Sequence, residues 1–114
     1  MADSKPVYLK LRDIIAAAIL DGDFAEGQML PSVRAFASEQ QANPLTVAKA
    51  YQMFQDQGLV EVQRGVGMYV AKGAQEKLRA MERADFLANI WPPVFRQMKR
   101  IGLTPEELLA SEAS

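Results

Sequence analysis

The chain has 114 residues, is 49% hydrophobic, and carries 13 Lys and Arg against 14 Asp and Glu for a net charge of −1. That leaves room for one ordinary core, or a small core with an appendage, and excludes a large effector domain. With no Cys and no His, disulfides, thiolate metal sites, the commonest metal ligand and the commonest general base are all removed, so neither a metal nor a cofactor is expected. No apolar run approaches the roughly 18 residues of a membrane span, and the opening "MADSKPVYLK" lacks the apolar stretch of a secretory signal. The expectation is a cytoplasmic chain with no membrane partner.

Residues 6–20, "PVYLKLRDIIAAAIL", place Tyr8, Leu11, Ile15, Ala18 and Ile19 at three- and four-residue spacing, which predicts a one-faced helix with Pro6 in its first turn. "DGDFAEGQM" breaks the pattern with Gly22 and Gly27. Its Asp21, Asp23 and Glu26 lack calcium-loop spacing and read as a solvated connection. Ser32 is placed to cap "VRAFASEQ", whose Val33, Phe36 and Ala37 face inward. Asn43 caps the next helix, Pro44 takes the first helical position, and Val47, Ala50, Tyr51 and Phe54 form its buried stripe to an end near Gly58. Only Gln41 and Ala42 join the two helices, so their axes turn sharply, as in a helix-turn-helix.

From Leu59 the period changes to two: Val60 and Val62 alternate with Glu61 and Gln63, "RGVG" turns, and "MYV" returns as a β-hairpin. "QML" at 28–30 is a candidate third strand. The fold class is therefore mainly α with a small β-hairpin: a winged helix-turn-helix domain over residues 1–73, followed by a helical dimerisation tail over 74–114.

In the tail, Met81, Ala84, Ala88, Trp91, Phe95 and Met98 recur at spacings of three and four, and Leu87, Ile90, Val94 and Ile101 form a second stripe beside them. Such a face either packs back on its own chain or meets a partner chain. The favoured reading is a homodimer interface through the first six. Pro92 and Pro93 predict a kink or break, and Thr104 followed by Pro105, Glu106 and Glu107 predicts a capping box opening a last short helix.

The N-terminal part of the second helix of such a unit reads the major groove, so the side chains opposite its buried stripe are the candidate readers: Leu45, Thr46, Ala48 and Lys49, with Gln52 one turn on. Thr46 suits a phosphate or base edge, Lys49 a phosphate or guanine, and Leu45 a thymine methyl. Ser32 and Asn43 are caps whose helices offer backbone amides to phosphate, and Arg34 stands beside them. Arg64 at the hairpin tip, with Gly65 allowing close backbone approach, suits the minor groove or the sugar-phosphate edge. Each has a plainer reading as a cap, a solvated helix face or a turn. Residues 1–73 hold seven Lys and Arg against eight Asp and Glu, a balance that favours a protein-interaction module as the alternative to DNA binding. "GVG" lies between strands and opens no helix, so it is no dinucleotide fingerprint, and no imidazole is present to activate a hydroxyl for catalysis.

Three motifs in order, "LPSVRAFA", "NPLTVAKAY" and "GLVEVQRGVGMYV", resemble the DNA-binding pattern of the GntR family of bacterial transcription regulators across residues 8–70. The short tail with "GLTPEELL" resembles the YtrA-like subfamily, whose tail helices form the dimer. The resemblance implies DNA contacts at Arg34, Asn43, Thr46, Lys49, Arg64 and Gly65, and no enzymatic activity. It also implies a homodimeric repressor on a double-stranded, inverted-repeat operator, leaving open whether a small-molecule effector exists. Many members outside that subfamily carry Arg where Pro44 stands, and Gln41 takes a turn position often given to Gly. A left-handed Gln41 would cost roughly 1–2 kcal/mol.

Overall fold

The computed structural model describes residues 5–111, which divide into two compact units between Arg79 and Ala80. The first contains α1 (Val7–Asp21), α2 (Val33–Gln40), α3 (Pro44–Asp56), β1 (Val60–Gln63), β2 (Gly67–Val70) and the start of α4 (Ala74–Asp85). The second contains the rest of α4, a π-helical turn (Phe86–Ile90), α5 (Trp91–Arg100) and α6 (Pro105–Ala110). Among the described residues no helix is long and apolar enough to cross a membrane.

Three helices converge on one core in the first unit. Leu11, Ile15 and Ile19 of α1 meet the inward face of α3, whose Val47, Ala50, Tyr51 and Phe54 are buried, and Phe36 and Ala37 of α2 close the other side. The Phe36 and Tyr51 rings lie 6.0 Å apart at 37°, a tilted pairing favoured by the ring quadrupoles. Tyr8, placed by its spacing on the inward stripe of α1, is only half-buried.

Between α2 and α3 the chain turns as the spacing requires. Gln41 is left-handed (φ 54°, ψ 45°) and is the one non-glycine with positive φ among the described residues. Its amide reaches back to the carbonyls of Ala37 and Ser38, and Ala42 donates to Ala37 O at 2.9 Å, so the last carbonyls of α2 keep partners through the strained turn.

The hairpin pairs β1 and β2 antiparallel in the register Val60–Val70, Glu61–Tyr69, Val62–Met68 and Gln63–Gly67. Its tip is a four-residue turn closed by Val66 N to Gln63 O at 2.9 Å, with Gly65 at φ +78° in the third position, where a side chain is disfavoured. The "QML" segment contributes one bridge, Met29–Tyr69, rather than a full strand. Gly27 N to Val70 O, Val70 N to Gln28 O and Leu30 N to Met68 O still fasten it along β2. Gly67 is fixed by this neighbour: at φ +151°, a Cβ there would stand 2.9 Å from Met29 Sδ. Val60 and Val70 are buried, but Val62 is 49% exposed, so the alternation seals the core only at the hairpin base.

The first turn of α4 belongs to the same core. Ala74 and Leu78 are buried, and Gln75 Nε2 donates to Leu20 O (3.0 Å) and, at longer range, to Ile19 O (3.4 Å), which also accepts from Gly22 N, so this side chain ties the start of α4 to the end of α1.

In the second unit the expected break at Pro92–Pro93 takes the form of a change of helix type. The residues before the prolines widen into a π turn, with Trp91 N bonded to Phe86 O, and Ile90 and Trp91 keep right-handed helical angles. A wider turn spares the carbonyls that the proline rings would otherwise strike and that lack an amide partner. The Trp91 and Phe95 rings then meet at a tilt, 5.7 Å apart at 48°, with Lys99 Nζ 5.4 Å from the centre of the Phe95 ring. Thr104 and Glu107 form the expected reciprocal capping box at the start of α6.

Candidate nucleic-acid interface

The outward face of α3 is set by its buried stripe. With Val47, Ala50, Tyr51 and Phe54 turned inward, Leu45, Ala48, Lys49 and Gln52 are exposed and Thr46 is half-buried at the edge. Leu45 is 80% exposed, which nothing in the folding of the unit calls for. Gln52 is tied within the helix by Nε2 to Asp56 Oδ1 at 2.8 Å.

Caps decide which backbone amides face outward. At α3 none of the first three is open: Pro44 has no N–H, Leu45 N donates to Asn43 Oδ1 at 2.8 Å, and Thr46 N donates to the Asn43 carbonyl at 2.9 Å. The expectation of open amides at both helix starts is thus corrected for α3, where Asn43 already takes them. At α2, Ser32 Oγ accepts from Ala35 N at 3.0 Å, while the amides of Val33 and Arg34 take no partner among the described residues. The partial positive charge at a helix start is therefore available at α2, beside the exposed Arg34.

The wing stands next to this start. Ser32 and Val33 line a cavity of about 250 Å³ together with Met29, Val66, Gly67 and Met68, which brings the residues after the hairpin tip and the cap of α2 to one side of the unit. Arg64 and Gly65 are exposed at the tip itself. Beneath this surface Tyr51 donates its hydroxyl to Pro31 O at 2.9 Å. Burial, then the charge of Glu39, pushes the Tyr51 phenol up to about 12, so it stays a neutral donor that fixes the chain just before Ser32.

Spacing does not reveal the surroundings of Lys49. Its Nζ stands 4.0 Å from the centre of the Tyr8 ring, so the start of α1 lies beside the outward face of α3. Burial pushes the Asp13 carboxyl up, but hydrogen bonds from Lys5 and Arg12 outweigh this and leave it below its ordinary value. Part of the positive charge at the start of α1 is therefore answered within the chain.

In the second unit the six residues assigned to a dimer interface are not equivalent. Met98 is buried in the single chain, Met81 and Trp91 are half-buried, and Ala84, Ala88 and Phe95 are exposed. The second stripe is the more open one, with Leu87 at 53%, Ile90 at 47%, Val94 at 45% and Ile101 at 60%.

A capped helix presented outward from a helix-turn-helix, with a hairpin at its flank, defines a winged helix-turn-helix DNA-binding protein. Residues 7–70 match the family model described as bacterial regulatory proteins, gntR family. The chain belongs to the GntR family, and it is a DNA-binding transcription regulator, not an enzyme.

It is 34% identical over 108 residues to the HTH-type transcriptional regulator YhcF of Bacillus subtilis (strain 168), covering 93% of this chain and 86% of that protein. It is 37% identical over 75 residues to the HTH-type transcriptional repressor YtrA of the same organism, covering 66% of this chain and 58% of that one. These relatives bear out the resemblance to the short-tailed subfamily. A solved GntR family transcriptional regulator from Listeria monocytogenes superposes with a TM-score of 0.76 at 28% identity, covering 96% of this chain and 95% of that one.

Proposed function

We propose that the chain works in the cytoplasm as a homodimer that represses transcription by binding an inverted-repeat operator, with half-sites about one helical turn apart. The observation that carries this reading is the outward face of α3, with Leu45 and Lys49 exposed and Thr46 at the edge, presented from a helix capped by Asn43. Thr46 and Lys49 read the major groove, Leu45 adds apolar contact, and Asn43 fixes where the reading helix begins. Ser32, Arg34 and the open amides of α2 hold one phosphate strand, while Arg64 and Gly65 hold the flank. The repressor assignment draws on the relative YtrA, which is a repressor. Because the first turn of α4 joins the winged core, we assign residues 1–79, rather than 1–73, to DNA binding and 80–114 to dimerisation, through Met81, Ala84, Ala88, Trp91 and Phe95 together with the exposed second stripe, Met98 being buried within its own chain.

With a net charge of −1, only a few phosphates per subunit are neutralised, and the dimer doubles them. The dependence of log affinity on log salt is then modest, about −0.9 per phosphate. A gel shift with the DNA upstream of its own gene, run across salt concentrations beside an unrelated duplex, tests the reading. Retarded migration of the upstream DNA alone is expected as salt rises, and unretarded migration of both duplexes even at low salt would favour the protein-interaction alternative.

A further inference from the structure

Lys49 is the only basic residue of α3, so the position of one ammonium governs the whole charge that this helix offers to DNA. A lysine stem has four rotatable bonds and, left alone on an exposed helix face, sweeps a wide volume and loses that freedom on contact. Here it is not left alone: its Nζ lies 4.0 Å from the centre of the Tyr8 ring. Tyr8 sits in the first turn of α1, which begins at Val7 after Pro6 and packs along α3. The tyrosine is half-buried, so its ring is braced by the protein while part of it stays open to the lysine. An ammonium over a ring face is held by the quadrupole and keeps its three donor hydrogens.

We propose that Tyr8 is a positioning residue for DNA reading: its ring holds the Lys49 ammonium at a fixed height over the start of α3, so that the lysine meets the groove already ordered. This deepens the regulator reading and rests on it. It extends the reading surface to α1, an element that helix-turn-helix logic assigns to the core alone. The ring, rather than the hydroxyl, is the working part.

The test uses the full chain and duplexes enriched from a random-sequence pool by the wild-type protein. Tyr8→Leu is expected to weaken binding about two- to fivefold, the range of one exposed cation–π contact, and Tyr8→Phe, which keeps the ring, to restore it. In a Lys49→Met background, Tyr8→Leu should cost nothing further. An equal loss in that background would show that Tyr8 acts without the lysine and would overturn the proposal. Tighter binding by Tyr8→Leu would also overturn it, because the ring would then be withholding the lysine. If the wild-type chain enriches no duplex, the regulator reading itself fails. The contact is then judged on the free protein: ring-current shifts of the Lys49 ε-protons, present in wild type and Tyr8→Phe and lost in Tyr8→Leu, uphold the positioning geometry, and their absence in wild type overturns it.

Discussion

The two units handle their apolar side chains in opposite ways. In the winged unit Ile15, Val47, Phe54 and Leu59 reach zero exposure, and the large residues left outside, Val7, Ile14, Met29, Leu45, Val62 and Val66, are spread over α1, α3 and the wing. In the tail, Phe86, Leu87, Ile90, Val94, Phe95 and Ile101 are 40–60% exposed on consecutive helical turns, with Met98 the one buried residue among them. The first unit is a finished core that can spend its outer face on a ligand. The second leaves a row of large apolar side chains open, the surface that the proposed dimer would cover. On the proposed reading the two units divide the labour: the first is folded by its own residues, and the second completes its packing against a partner chain.

The contrast can be broken most severely at Phe54. Phe54→Ala empties a fully buried site shared by the packing of α3 and is expected to cost about 3–5 kcal/mol, enough to unfold much of the winged unit at ambient temperature. Thermal denaturation followed by circular dichroism checks this.

In the tail, large apolar residues are expected to matter for association more than for folding. Ile90→Glu combined with Val94→Glu should shift the chain to monomer in sedimentation while leaving the unfolding of the winged unit in place. Operator affinity should fall on the order of a hundredfold as the two half-sites cease to be bound together. Trp91→Ala and Phe95→Ala, which remove the tilted aromatic pair, should shift the equilibrium the same way. Persistent dimers in all of these would move the interface elsewhere.

Smaller effects sharpen the comparison. Tyr51→Phe removes the donor to the Pro31 carbonyl and should cost about 1 kcal/mol of stability, seen as a lowered midpoint in urea. Thr104→Ala breaks the capping box of α6 at a similar cost, about 1 kcal/mol, local to the tail and without effect on DNA affinity.

How much of this was legible in the sequence follows from the range of the forces. Caps and turns are local, so Ser32, Asn43, Pro44 and the turn at Gly65 could be placed from neighbouring residues alone, whereas the left-handed Gln41 followed from the family resemblance. The wing was visible as a change of period. Val62 was misleading, because alternation cannot say how far along a short hairpin the core extends, and "QML" could be recognised as extended without revealing that only Met29 forms a bridge. Pro92 and Pro93 announced an interruption, but whether a helix answers with a bend or a π turn depends on which carbonyls can find other amides. The placement of Lys49 over Tyr8 joins residues 41 positions apart, and the inward spacing of Tyr8 pointed only to the core.

The outward face of α3 with the start of α2 is the claim on which the rest stands, and the affinity of the Arg34→Ala and Lys49→Ala variants for a labelled operator duplex, by fluorescence anisotropy, tests it most directly. Each substitution should weaken binding about tenfold, the worth of one good side-chain contact to DNA, with the fold and the dimer unchanged. Wild-type affinity in both variants would contradict the account.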